Sequence, residues 1–223
     1  MLLSEGAWPF GPLFEADWRE PPSSLAAALR DRLTGVRTRV FDPDWAGTLE
    51  NLRLAALPFW PDWTAGEAML RDGAGVRVTS FLFGPFGVHL MTGAAGLIHD
   101  INDRCGVLLD TEARQKAYLH FFTSAVRGDE GPFYLVDADA RLQALTGKAP
   151  KGKAKGLAAP VRSRVEDGRG LHDAVVFYGQ GLYRSTFAVT PDGQVSMEDD
   201  EMVTDEQPRT CFIFEGAVRR PAH

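Results

Sequence analysis

The sequence predicts an α+β fold: a mainly antiparallel, curved sheet packed against one long amphipathic helix, with a helical Trp/Pro-rich segment at the N-terminus. Three observations lead there. Ala113, Ala117, Tyr118, Phe121, Phe122 and Ala125 recur at helical spacing behind an Asp110-Thr111 cap and ahead of Gly128. Thr190-Pro191-Asp192-Gly193 is a turn between an alternating run, Leu182 to Val189, and a returning strand, Gln194 to Met197, since proline presets its own dihedral and glycine accepts positive φ. The order of patterns is helices, strands, a long helix, then strands, without the regular alternation of a parallel doubly wound sheet.

Taken in order, Trp8, Trp18, Trp45 and Trp60 lie among prolines that prevent a continuous helix, and the tryptophans suggest a segment wrapped over a core. Ser23-Ser24 caps a helix through Leu33 that stops near Gly35. A second helix is expected from Trp45 or Gly47 to Leu57, ending before Pro58. Thr64-Ala65-Gly66-Glu67 has the form of a capping box, opening a short helix that ends at Asp72-Gly73. Val76 to Phe83 reads as a strand, followed by a Gly84-Pro85-Phe86-Gly87 turn. Val88 to Met91 and Leu97 to Ile101 are then expected to pair as a hairpin.

After the long helix, Gly131 to Val136 is a turn feeding a short strand, and Asp137 caps a helix to Leu145. Strands are expected at Ala174 to Tyr178, Leu182 to Val189, Gln194 to Met197 and Thr210 to Phe214. Four of the five lysines fall within residues 148–156, a Gly/Lys/Pro stretch read as an exposed, flexible loop. The two sides of that loop look too thin to bury separate cores, so a single α+β domain over 1–223 is expected.

Composition narrows function without naming it. At 44% hydrophobic and 24% charged, the chain is neither a disordered nor a membrane-spanning sequence as a whole. No run approaches the roughly 20 apolar residues of a membrane span. Met1 to Gly6 lacks the basic start and apolar stretch of a secretory signal, so a cytoplasmic location is expected. Cys105 and Cys211 are expected to be packed thiols. A net charge of −6 disfavours nucleic acid and anionic membrane as partners.

There is no phosphate-binding loop, dinucleotide fingerprint, nucleophile elbow or paired CxxC, and no cofactor is specified. His99 to Cys105 gathers ligand-type side chains, but on a strand neighbours would face opposite ways, and no metal set is specified. Asp129 and Glu130 follow the long helix in a Gly-flanked turn, where carboxylates at a cleft mouth would suit acid–base work. Glu198 to Glu201 is read as a solvated acidic loop. His172, Tyr178, Tyr183 and Arg184 lie on the late strands, where a concave sheet would let them line a pocket for an anionic or carbonyl ligand.

Two stretches, Tyr118 to Phe133 and Val175 to Phe187, resemble segments of conserved bacterial proteins of unassigned function. The resemblance implies a bacterial origin, which the arginine- and alanine-rich, lysine-poor usage also suggests. It implies no activity. The expected function is therefore a non-catalytic small-ligand-binding or protein-interaction domain, with a homodimer, another protein or a small ligand as partner. A hydrolase or isomerase using a His/carboxylate pair from His99, Asp100, Asp129 and Glu130 is the alternative.

Overall fold

The computed structural model describes residues 7–40, 48–73, 75–166 and 168–222. Among these, four α-helices accompany strands that pair antiparallel throughout. The fold is α+β. In chain order the elements are α1 (Ser23–Val40), β1 (Thr48–Ala56), β2 (Thr64–Asp72), β3 (Gly75–Gly84), β4 (Gly87–Leu90), α2 (Gly96–Cys105) and α3 (Glu112–Ala125). Then come β5 (Arg127–Gly128), β6 (Gly131–Pro132), β7 (Tyr134–Leu135), α4 (Asp139–Thr146), β8 (Arg162–Glu166), β9 (Arg169–Tyr178), β10 (Gly181–Val189), β11 (Val195–Thr204), β12 (Phe212–Glu215) and β13 (Val218–Pro221).

A six-stranded sheet runs β1-β2-β3-β13-β12, with β4 also on β3. Side chains alternate across β2 and β3. Ala68 and Phe81 face one way and pack with Leu29 and Leu33 of α1. Ala65, Val78 and Leu82 face the other way into the main core. A five-stranded sheet, β11-β10-β9-β7 with β8 on β9, supplies Val175, Phe177, Leu182 and Phe187 to that same core. Tyr118, Leu119 and Phe121 of α3 belong to it as well, so one continuous cluster of buried side chains joins the two sheets.

Several expectations are corrected. Among the described residues the longest helix is α1, and the second half of α3, from Tyr118 to Ala125, is buried except at the half-buried His120, so no single long amphipathic helix carries a sheet. The Trp/Pro-rich segment is not helical. Residues 7–22 run as bends and one bridge, Arg19 to Leu54, and α1 contains neither Trp nor Pro. That helix also continues through Gly35.

The helix expected up to Leu57 is strand β1; its expected start at residues 45–47 lies outside the described residues. Leu, Ala, Glu and Arg favour helix here, but pairing with β2 from Thr48 to Ala56 overrides that preference. The Thr64–Glu67 capping box is instead the start of β2, and Glu67 serves a buried charge network. Leu97 to Ile101 is helix, not strand: Ile98, Ile101 and Asn102 form its buried face, and Gly106 ends it at φ 72°. The acidic run is a strand, β11, at the edge of the second sheet. The helix from 137 exists, but its cap position is Ala138, with no side-chain hydrogen bond. The lysine stretch makes a short 3-10 turn, Gly152–Ala154, whose Ala154 is buried in the core.

The α3 cap and the 190–193 turn are as expected. Thr111 caps α3 by accepting from the Arg114 amide, and the 190–193 turn joins β10 to β11. Gly193, at φ 83°, leaves no room for a Cβ beside Asn102. There the Tyr118 hydroxyl donates to the Gly193 carbonyl (2.7 Å) and accepts from Asn102, which in turn accepts from the Trp60 indole (both 2.9 Å). This chain of bonds pins the hairpin tip to α2 and α3. Cys105 and Cys211 are free thiols, but against expectation Cys105 is exposed, and Cys211 is half-buried.

Candidate functional site

A cleft of about 710 Å³ opens between the β5–β6 turn, the segment leading into α2 and the β12–β13 hairpin. Arg127 leaves the end of α3 into β5, held by its own amide bond to the Gly93 carbonyl (3.0 Å). Its guanidinium lies 4.4 Å from the centre of the Phe214 ring and donates to the Gly216 carbonyl at 2.6 Å. Gly93, at φ 96°, allows this, because a Cβ there would collide with the guanidinium. Among the described residues Arg127 has no carboxylate partner, and burial lowers its pKa, with Tyr134 opposing.

Tyr134 also lines the cleft. Its ring stands edge-on to Phe212, and its hydroxyl is buried with no hydrogen-bond partner. Burial raises the pKa of that hydroxyl, while Arg219, Arg141 and Arg127 act to lower it. An unpaired buried hydroxyl costs about 1–3 kcal/mol. Here it sits in the field of three guanidinium groups.

Asp129 and Glu130 form the tip of the β5–β6 turn and are exposed on the rim of this cleft. The Glu130 carboxylate rests against Gly179, whose φ of 62° and missing side chain leave it room. Tyr178 reaches the same loop: its hydroxyl accepts from the Glu130 amide at 3.0 Å, and its ring stacks on Phe133 with centroids 4.3 Å apart.

That stack is one wall of a second, smaller pocket of about 190 Å³, where Tyr178 and Tyr183 meet as the sequence suggests. Arg184 is not with them. It lies in a separate groove and pairs with Glu201 at 3.9 Å. His172 is fully buried, its Nδ1 2.9 Å from Ser163 Oγ and its Nε2 without a partner. Burial lowers its pKa, helped by Lys116 and opposed by Glu112 and Asp173.

His99 packs on Phe122 from α2 with a buried, unpartnered Nδ1. Asp192 has its pKa lowered chiefly by a hydrogen bond with Thr190. His120 stands 3.2 Å from Asp137. Among the described residues no three His, Cys, Asp or Glu side chains gather as a metal site would need, and no helix is long and apolar enough to cross a membrane.

Sequence reasoning marks Asp129, Glu130, Tyr178 and Tyr183 but misses Tyr134, which sits in the apolar run Phe133 to Val136 and reads as ordinary core. Nothing linear signals an unpaired hydroxyl. Comparison with protein-family models, curated proteins and solved structures finds no match to this chain, so no functional residue is carried to it from a relative.

Proposed function

We propose that this protein is a non-catalytic binder of small molecules, and that the cleft beside Arg127 and Tyr134 takes a compact anionic ligand with an aromatic or apolar body. The observation that carries the reading is the Tyr134 hydroxyl: buried, unpartnered, and in the same cleft as an Arg127 guanidinium with no carboxylate of its own. A bound carboxylate or similar group supplies what both lack, an acceptor and a negative charge. Phe177, Phe212 and Phe214 offer the ligand's body aromatic walls. Trp8 and Trp18 are engaged internally, with Arg53 lying 3.9 Å from the Trp8 ring and 5.6 Å from that of Trp18, which favours a small ligand over a protein partner at that surface.

Calorimetric titration with 2-naphthoate and its neutral amide tests this. The expected result is that naphthoate binds, the amide binds much more weakly, and Arg127→Gln weakens naphthoate about tenfold, the worth of one charge-assisted hydrogen bond. Equal binding of acid and amide, or naphthoate affinity untouched by Arg127→Gln, would overturn it.

A further inference from the structure

We propose that the smaller pocket over the second sheet is a separate binding site for a single-ring aromatic ammonium, such as an arylalkylamine. It shares no lining residue with the anionic cleft. Phe133 and Tyr178, stacked face to face, form one wall; Tyr183 on β10 and Met197 on β11 line it further, and Val176 on β9 is buried beneath. Aromatic and thioether surfaces of this kind favour a flat ring.

Two polar groups orient it. Ser185 is 4% exposed, lines the pocket, and its hydroxyl has no hydrogen-bond partner. Asp200 is its register partner on β11, so both side chains leave the sheet on the same face. Of the four acids of β11, Glu198 pairs with Arg169 and Glu201 with Arg184, whereas Asp199 has no ion pair among the described residues and does not border the pocket. Asp200 has no ion pair among the described residues, and it is the acid that borders the pocket. A cation on the ligand meets Asp200 and the faces of the tyrosines together.

Size selects the ring. A cavity of about 150 Å³ with apolar walls accommodates benzene; this pocket, at about 190 Å³, has space for one ring and a short arm. A bicyclic amine is too large.

The test is an amide-resolved NMR titration of the whole chain with benzylamine, benzyl alcohol, benzoate and tryptamine. Benzylamine is expected to shift the Tyr183 and Ser185 amides saturably, tryptamine and benzoate to shift them far less. Asp200→Asn, a change at an exposed side chain, should weaken benzylamine about fivefold and leave benzyl alcohol unchanged. Arg127→Gln should leave benzylamine unchanged, which separates this site from the anionic cleft. Absence of saturable shifts at β10, benzoate binding as tightly as benzylamine, or Asp200→Asn without effect on benzylamine would each overturn the proposal.

Discussion

Glu67 on β2 and Arg219 on β13 form an ion pair in which neither side chain is exposed to solvent. The pair is the centre of a row laid across the first sheet. Arg53 on β1 and Ser80 on β3 are the register partners of Glu67 and donate to its two oxygens, and the Leu13 amide donates from the N-terminal segment at 3.0 Å. Arg219 returns a bond to the Gly11 carbonyl, and Arg141 donates to the carbonyls of Pro12 and Leu13. The segment is thus tied down largely through its backbone, and its own Glu15 adds an ion pair to Arg141 at 3.5 Å.

Glu67→Gln leaves Arg53 and Arg219 buried without a counter-charge, and a loss of about 3–5 kcal/mol is expected. Urea denaturation measures it. Hydrogen exchange should show residues 8–19 opening more readily than the strands in the same variant. A loss within about 0.5 kcal/mol would mean the network is solvated and carries little.

Gly66 and Phe81 are directly paired across β2 and β3, and the Phe81 ring, fully buried, lies over the glycine where a Cβ would be. Gly66→Ala must push the ring out of its place between the sheet and α1. Overpacking of this kind costs about 1–3 kcal/mol. The companion variant Phe81→Leu removes the obstruction, so Gly66→Ala should cost less in that background than in the native one. Additive losses in the double variant would show that the two positions do not compete for space.

The parts of this fold that are legible in the sequence are those where one signal acts alone. β3, β9 and β10 are rich in β-branched and aromatic residues, and α3 has its cap and its spacing. β1 and β2 are not legible because their residues favour helix and because both faces of β2 are buried, which erases the alternation that marks a strand. In α2 the β-branched Ile98 and Ile101 suggest strand, although their spacing with Asn102 is helical. The sites behave likewise. Asp129, Glu130, Tyr178 and Tyr183 stand out as polar or aromatic residues next to turns. Arg184 follows its neighbour in sequence, yet it turns to Glu201, and Tyr134 is recognisable only once its hydroxyl is found without a partner.

Tyr134→Phe removes that hydroxyl and nothing else. Since the group is buried without a hydrogen bond, the free protein should be unchanged or more stable by up to about 1–2 kcal/mol. Naphthoate binding should fall in the same variant. Stability and binding moving in opposite directions distinguish a ligand-directed hydroxyl from a structural one, for which both would fall together.

His172 makes stability depend on pH. Burial holds its folded pKa below the ordinary 6.5, and Lys116 adds to this against the pull of Glu112 and Asp173. The unfolded chain therefore takes up a proton at a pH where the folded chain does not. Its contribution to stability is full above the unfolded pKa and is lost as pH falls from about 7 toward the lower folded value, by at most about 1.4 kcal/mol per pH unit. Urea midpoints at pH 7.5 and 5.5 should differ more for the native protein than for His172→Gln. Equal differences would assign the acid sensitivity to other groups.

β11 ends the second sheet, so among the described residues one side of its backbone has no neighbouring strand. Met197 and Met202 are exposed on it, a combination that invites pairing with another chain. The four consecutive acids Glu198, Asp199, Asp200 and Glu201 oppose this, because two such strands laid side by side would bring like charges together. Bulges opposite Leu182/Tyr183 and Thr186/Phe187 in the β10–β11 ladder twist the edge further from a flat template. Replacing Glu198 and Asp199 with Thr keeps strand propensity, leaves Asp200 for its pocket and removes half of the charge run. The variant should self-associate at concentrations where the native protein does not gain mass, as light scattering coupled to size exclusion would show, and raising the salt should drive the native protein the same way by screening. An edge that stays unpaired in both experiments would mean that its bulges and twist are a sufficient barrier without the charges.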